Sequence, residues 1–215
     1  MTLINALKNN LSHSDIPFNH WTIKNPLSEK AIDEIYSINF TEGKVIFDGT
    51  RAGDKTGENL LSKLRIFINK DNVNKYPELF ELVKQMQSTE CTTFISNLIN
   101  RDLKNSYVRL EVIADRDGFW LEPHCDIKEK LMSSILFVNR YGENENLGTD
   151  FYTPDLKVAK TLPYKNNTGY IFTSEENSWH GLEKKKIKKE RRCLQLNYVT
   201  FETEWPVAVS YTHLR

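Results

Sequence analysis

The sequence is poor in several things, and each shortage removes a class of protein. Its three cysteines, Cys91, Cys125 and Cys193, are odd in number and far apart. Neither a disulfide framework nor a C-x-x-C zinc site is expected, and a reducing cytoplasm is the default compartment. Net charge is absent, since 29 Lys and Arg balance 29 Asp and Glu. A duplex-binding face needs a cationic excess to displace phosphate counterions, and anionic lipid asks for the same. Neither nucleic acid nor a membrane surface is therefore an expected partner. No apolar run approaches the roughly 20 residues that span a bilayer. Residues 1–10 lack the cationic start and apolar stretch of a secretory signal. No internal repeat and no low-complexity linker is visible. What remains is 215 residues, 39% hydrophobic and 11% aromatic. That is enough for one domain with a real core.

The chain changes character midway. Pro17–Lys24 reads as a short strand. Ser28 can cap a helix that carries Ala31, Ile35 and Ile38 on one face. Residues 43–57 read as a loop around Asp48-Gly49 and Gly53, with Asp48–Arg51 as a potential lid. Three further amphipathic helices are expected, on Leu60, Leu61, Leu64 and Phe67, on Leu79, Leu82, Val83 and Met86 after Pro77, and on Phe94, Ile95, Leu98 and Ile99. From Tyr107 the pattern becomes short strand-like runs: Tyr107–Ile113, Trp120–His124, Met132–Asn139, Thr149–Tyr152, Gly169–Thr173 and Arg191–Phe201. Helices followed by many short strands indicate a β-sandwich or jelly roll with helices packed on one sheet. A single domain over 1–215 is expected, with a helical buttress over about 25–104 and a β core over about 105–202.

Two of these strands alternate. Val108, Leu110 and Val112 share one face, and Tyr107, Arg109 and Glu111 the other. Leu194, Leu196 and Tyr198 oppose Arg191, Cys193, Gln195 and Asn197. The polar face either meets solvent or lines a cavity inside the barrel. Four helices in need of a surface to cover favour the cavity. By the same period only one of Arg191 and Arg192 faces inward. Arg192 inward would turn Gln195 and Asn197 into the helix layer without partners, so Arg191 is the inward residue. Arg109, Tyr107, Gln195 and Asn197 are then candidates for a substrate pocket.

The segment Trp120-Leu-Glu-Pro-His-Cys-Asp126 carries the chemistry. His124 and Asp126 lie two apart, on one side of a strand, and Trp179-His180-Gly181 offers a third ligand. Two His and one carboxylate leave open positions on an octahedral ion, the arrangement of non-haem Fe(II) oxygenases. A chelating keto-acid such as 2-oxoglutarate also presents a distal carboxylate, and Arg191, 11 residues past His180, offers a planar fork for it.

These residues resemble the Fe(II)/2-oxoglutarate-dependent dioxygenase superfamily, whose signature is H-x-D, a distant His, then Arg or Lys about ten residues on. The resemblance covers roughly Tyr107–Thr200, and more loosely the Pro17-Phe-Asn-His-Trp21 strand and its helix, and is nearest to bacterial, prolyl-hydroxylase-like members. Leu131–Asn139 matches the strand that often reads T-x-L-x-Y-L-N, Leu147–Tyr152 the G-G-x-x-x-F strand, and Arg191–Leu194 R-x-S-L, with Cys193 where Ser is usual. The resemblance implies an α+β, mainly β fold, a double-stranded β-helix of about eight strands. It implies His124, Asp126 and His180 as iron ligands, and Arg191 with help from Ser133 as the 2-oxoglutarate site. It implies Fe(II), 2-oxoglutarate and O2 as cofactor and cosubstrates. The implied reaction is hydroxylation of an unactivated C–H of a small-molecule or peptidyl substrate, with release of succinate and CO2. Halogenating relatives lack the carboxylate, so Asp126 favours hydroxylation or a related oxidation. The competing reading is a cupin-like module that binds a metal or sugar without turnover, since jelly rolls host both.

Three other features read plainly. Cys125 alternates away from its neighbours and is expected as a small buried residue. Trp179 is expected to pack. Glu183–Arg192 is expected as a solvated hairpin tip despite its lysines. Residues 209–215 read like a translated sequencing adaptor, so His213 is set aside as a ligand.

Overall fold

The computed structural model describes residues 2–40 and 63–207. The expected 43–57 loop, Leu60, Leu61 and the 209–215 tail with His213 lie outside the described residues. In chain order the elements are α1 (Leu3–Asn9), β1 (Leu11–Ser14), β2 (His20–Lys24), α2 (Glu29–Ser37), β3 (Lys63–Phe67), α3 (Pro77–Gln87) and α4 (Thr89–Ile99). There follow β4 (Tyr107–Asp115), β5 (Leu121–His124), β6 (Lys130–Val138), β7 (Thr149–Tyr152), β8 (Val158–Leu162), β9 (Thr168–Phe172), β10 (His180–Leu182) and β11 (Arg191–Val199).

The helices start and stop for local reasons. Ser28 Oγ accepts the Ala31 N–H at 3.1 Å and starts α2. Pro77 opens α3, where a missing N–H costs nothing. Ser88 Oγ accepts from Cys91 and starts α4, and Asn100 ends it in the left-handed conformation. Their apolar stripes, such as Leu79, Leu82, Val83 and Met86 on α3, are buried.

All strand pairings are antiparallel and form two sheets among the described residues. The larger runs β1-β2-β9-β6-β11-β4-β3 and the smaller β5-β10-β7-β8. The strands β9, β6, β11 and β4 together with the smaller sheet make the eight strands of a jelly roll. β1 and β2 extend one edge of the larger sheet and β3 the other. Of these, β1, β8 and β10 were not separately expected. The segment 63–67 was expected to be helical and is a strand. Leu64 and Ile66 pack with the helix-side core, while Lys63 and Arg65 point between the sheets, so the alternation is that of a strand with a charged inner face.

The larger sheet separates two cores. Val108, Leu110, Val112, Leu194, Leu196 and Tyr198 pack with the helices. Ile113, Phe137, Tyr170, Phe172 and Cys193 pack against Phe151, Leu182 and other residues of the smaller sheet. Tyr198 stitches the first core by donating to Met86 O of α3 at 2.6 Å. Truncating a buried leucine such as Leu196 to Ala in this layer would cost about 2–5 kcal/mol. Arg192 lies on the helix side. It pairs with Glu190 and donates to the carbonyls of Ile35 and Ile38, which closes the C-terminal end of α2. Among the described residues no helix is long and apolar enough to cross a membrane.

Candidate metal centre

A cavity of about 700 Å³ opens between the sheets. His124 ends β5, His180 begins β10, and the two are register partners. Gly181 permits this close pairing, because a Cβ there would sit 2.6 Å from Leu121 O. Each imidazole Nδ1 faces a carbonyl two residues earlier, Glu122 O at 2.8 Å and Ser178 O at 2.9 Å. A carbonyl only accepts, so both Nδ1 atoms carry the proton and both Nε2 atoms present a lone pair. The ring centroids are 4.3 Å apart. Asp126 follows β5, with Oδ1 on Lys130 Nζ at 2.5 Å and Oδ2 accepting from Ser133 Oγ at 2.5 Å. One ligand atom from each of His124, Asp126 and His180 lies within 4.8 Å of the others. Facial ligands on a bond of ~2.1 Å sit about 3 Å apart, so small side-chain rotations close the set on one ion.

The electrostatics suit ligation. Burial, with His124 alongside, pushes His180 down to about 3. Burial also lowers His124. Burial alone would raise the Asp126 carboxyl, but Lys130, His180 and Ser133 hold it well below the usual carboxylate range. Near neutral pH the cluster therefore offers two neutral imidazoles and one carboxylate.

Arg191 lies at the far end of the cavity, 6% exposed. Nε donates to Leu147 O, Nη2 to Gly148 O at 3.0 Å and Nη1 to Asp115 Oδ2 at 2.6 Å. A guanidinium has five N–H groups, so one on each Nη is left for a ligand among the described residues. Gly148 is needed here, since a Cβ would fall 1.6 Å from Leu162 O. It lies three residues before Phe151, the register partner of His180. At ~3.3 Å per residue that places the guanidinium end roughly 10 Å along β7 from the histidine.

Asp115 is fully buried and shared, since Arg65 Nη1 donates to its Oδ1 at 2.7 Å. Arg65 Nε lies 3.5 Å from Glu111 Oε1, and Arg109 Nη2 is 2.7 Å from Glu111 Oε2. The inner face of β3, β4 and β11 thus carries an alternating chain, Arg109–Glu111–Arg65–Asp115–Arg191. Arg65, Asp115 and Lys130 were missed from the sequence. Extending the inward period of β4 past Ile113 to Asp115, which is paired with Arg191 in register, would have found the carboxylate.

The remaining candidates separate. Arg109 and Gln195 line the cavity. Asn197 is buried behind it and donates to Ser133 Oγ at 3.0 Å. Ser133 lines the cavity on the side of Asp126, to which its hydroxyl donates, rather than beside Arg191. Tyr107 does not line the cavity. It begins β4, pairs with Val199 and bridges to Pro206, so its position is set by the sheet's end. Cys125 is not a buried filler, because it lines the cavity half-exposed, with Sγ 3.4 Å from Glu176 O. The lysine-rich tip is more ordered than expected. Lys185 reaches Asp150, the N–H groups of residues 188–190 converge on the Glu143 carboxylate, and Ile187 is buried.

No protein-family model matches the sequence, and no curated protein does. Solved structures do match the fold. A prolyl-4-hydroxylase from Pseudomonas putida is similar with a TM-score of 0.63 at 12% identity, covering 93% of this chain and 99% of that one. A prolyl hydroxylase from Trichoplax adhaerens, in complex with a hypoxia inducible factor peptide fragment, gives 0.59 at 16%, covering 93% and 88%. The chain has the jelly-roll fold of the prolyl hydroxylases, the architecture that its resemblance to the Fe(II)/2-oxoglutarate-dependent dioxygenases led one to expect.

Proposed function

We propose that the protein is an Fe(II)- and 2-oxoglutarate-dependent oxygenase that hydroxylates an unactivated C–H bond. The observation that carries this reading is the His124–Asp126–His180 cluster with the Arg191 guanidinium roughly 10 Å away along β7. That spacing suits a keto-acid of about 5 Å between its carboxylates, once a metal bond of about 2 Å and a hydrogen bond of about 3 Å are added. Held there, the ferrous ion and 2-oxoglutarate would supply oxidative decarboxylation to succinate and CO2, coupled to insertion of oxygen into the substrate.

The chain's own residues have separate tasks. His124 and His180 keep their Nε2 lone pairs forward because their Nδ1 protons are committed to carbonyls. Ser133 and Lys130 orient Asp126. Arg191 offers one N–H from each Nη to the distal carboxylate, which is bidentate recognition. Phe172, packed on His180 at 4.8 Å, and Tyr170 make the inner wall apolar and limit water at the reacting end. No nucleic-acid partner is proposed, since the net charge is zero.

Anaerobic titration with Fe(II) and 2-oxoglutarate tests the reading. A visible charge-transfer band is expected, lost in Arg191→Gln and in His180→Ala, with succinate released once oxygen is admitted. No band and no succinate would leave a binding module instead.

A further inference from the structure

The cavity wall carries ordered charges besides the one that the proposed cosubstrate tail meets. Among the described lining residues, Arg65, Arg109, Lys130 and Arg191 lie with Glu111, Asp115 and Asp126. Asp126 is matched by Lys130. The other two carboxylates belong to the alternating chain, which has a guanidinium at each end. One end, Arg191, meets the keto-acid tail under the reading above. The other end, Arg109, lies near the cavity mouth. Its side chain is 17% exposed, and its guanidinium sits 4.8 Å over the Phe67 ring. Glu111, itself 3% exposed, fixes one Nη of Arg109 at 2.7 Å. This is a held and oriented cation, unlike a solvated surface arginine.

Its position relative to the metal cluster follows from register. Arg109 pairs with Asn197, and Asn197 with Ser133, the residue bonded to Asp126. Two inter-strand spacings put the Arg109 and Ser133 Cα atoms roughly 10 Å apart. Phe201 and Ile127, both exposed, line the same cavity and give it an apolar rim. A cationic fork below an apolar rim fits a molecule with one anionic end and a hydrocarbon body.

We infer that the substrate carries a carboxylate bound by Arg109, with the C–H to be oxidised within about 10 Å of it. This rests on the oxygenase reading and names its substrate class. An acidic small molecule or a chain terminus is favoured over an uncharged internal residue of a polypeptide. Glu111 is the positioning residue for Arg109, and it is held from its other side by Arg65.

The test compares matched pairs of acids and carboxamides. The probes are L-amino acids and N-acetyl-L-amino acids, each with its primary amide. The protein is loaded with Mn(II) and 2-oxoglutarate under nitrogen. Paramagnetic broadening of each probe's proton signals reports binding close to the metal without turnover. At least one acid should bind ten-fold or more tightly than its amide, and Arg109→Gln should reduce that ratio to below three. Equal binding within every pair, binding of amides only, binding of neither member, or a ratio unchanged in Arg109→Gln would each overturn the inference. Failure of the underlying reading is recognised separately, as unchanged 2-oxoglutarate affinity in Arg191→Gln. If Arg109→Gln proves poorly folded by circular dichroism, Arg109→Lys replaces it, keeping the charge but losing the planar fork, and the ratio should then fall at least three-fold.

Discussion

Replacing Asp115 with Asn is the sharpest perturbation the structure offers. The carboxylate is 0% exposed and bridges two guanidiniums that are themselves 6–7% exposed, at 2.6 and 2.7 Å. Asn keeps the shape, removes the charge and turns an N–H2 toward one of the two cations. Breaking a buried ion pair from one side costs about 3–5 kcal/mol, because the partner charge stays buried. Here the partners retain other acceptors, Leu147 O and Gly148 O for Arg191, and Glu111 and Leu64 O for Arg65. The lower end, about 3 kcal/mol, is therefore expected. In a chain of this length that lowers Tm by about 6–12 °C. Urea denaturation followed by tryptophan fluorescence measures it, with a fall in midpoint at constant slope. Arg65→Gln should recover part of the loss when combined with Asp115→Asn, since one of the two stranded cations is then gone. Because the network is buried, raising NaCl from 0.1 to about 0.5 M should leave the difference nearly unchanged. A loss below about 1 kcal/mol, or a double variant that is merely additive, would refute the claim that this carboxylate neutralises both arginines.

Three further outcomes are expected. Ser133→Ala removes the hydroxyl that orients Asp126 and should weaken Mn(II) binding about 10–100-fold while the circular dichroism spectrum is kept; an unchanged affinity would remove Ser133 from the site. Two histidines of ordinary pKa near 6.5 would cost a metal about 100-fold in affinity at pH 5.5 through proton competition. His180 sits at about 3 and His124 is lowered. Both are neutral over more of that range than free imidazoles, so Mn(II) affinity should fall far less between pH 7.5 and 5.5, and a full 100-fold fall in a titration series would contradict the burial argument. Gly148→Ala forces a Cβ to 1.6 Å from Leu162 O, so β7 and β8 must separate; more than about 2 kcal/mol of stability should be lost in urea, together with 2-oxoglutarate binding.

The parts of the fold that were legible follow ordinary periodicities. The stripe Leu79, Leu82, Val83 and Met86 marked α3, and the alternation of β11 placed Arg191 inward and Arg192 against the helices. β3 was illegible because the rule that apolar residues face inward fails there. Its inner face holds Lys63 and Arg65, and Leu64 and Phe67 mimicked a helical spacing with Leu60 and Leu61. The same failure hid Arg65 and Asp115, which neutralise each other inside the protein. β8 gave no signal because three of its five residues are exposed, and β10 because it is three residues long. The metal-ligand candidates were legible as residue types with strand spacing. Lys130, although close in sequence, was not, because its role depends on a turn that brings it back to Asp126.

The larger sheet divides labour along a single strand. In β11 the residues 191, 193, 195 and 197 lie on the face toward the smaller sheet, where Arg191 and Gln195 reach the cavity, and 192, 194, 196 and 198 hold the helices. Chemistry and cohesion are thus inherited through alternate letters of the same nine-residue word. A gene library confined to Gln195 and its cavity neighbours Arg109, Ile127 and Phe201 could retrain what the protein accepts without disturbing the layer that keeps it folded.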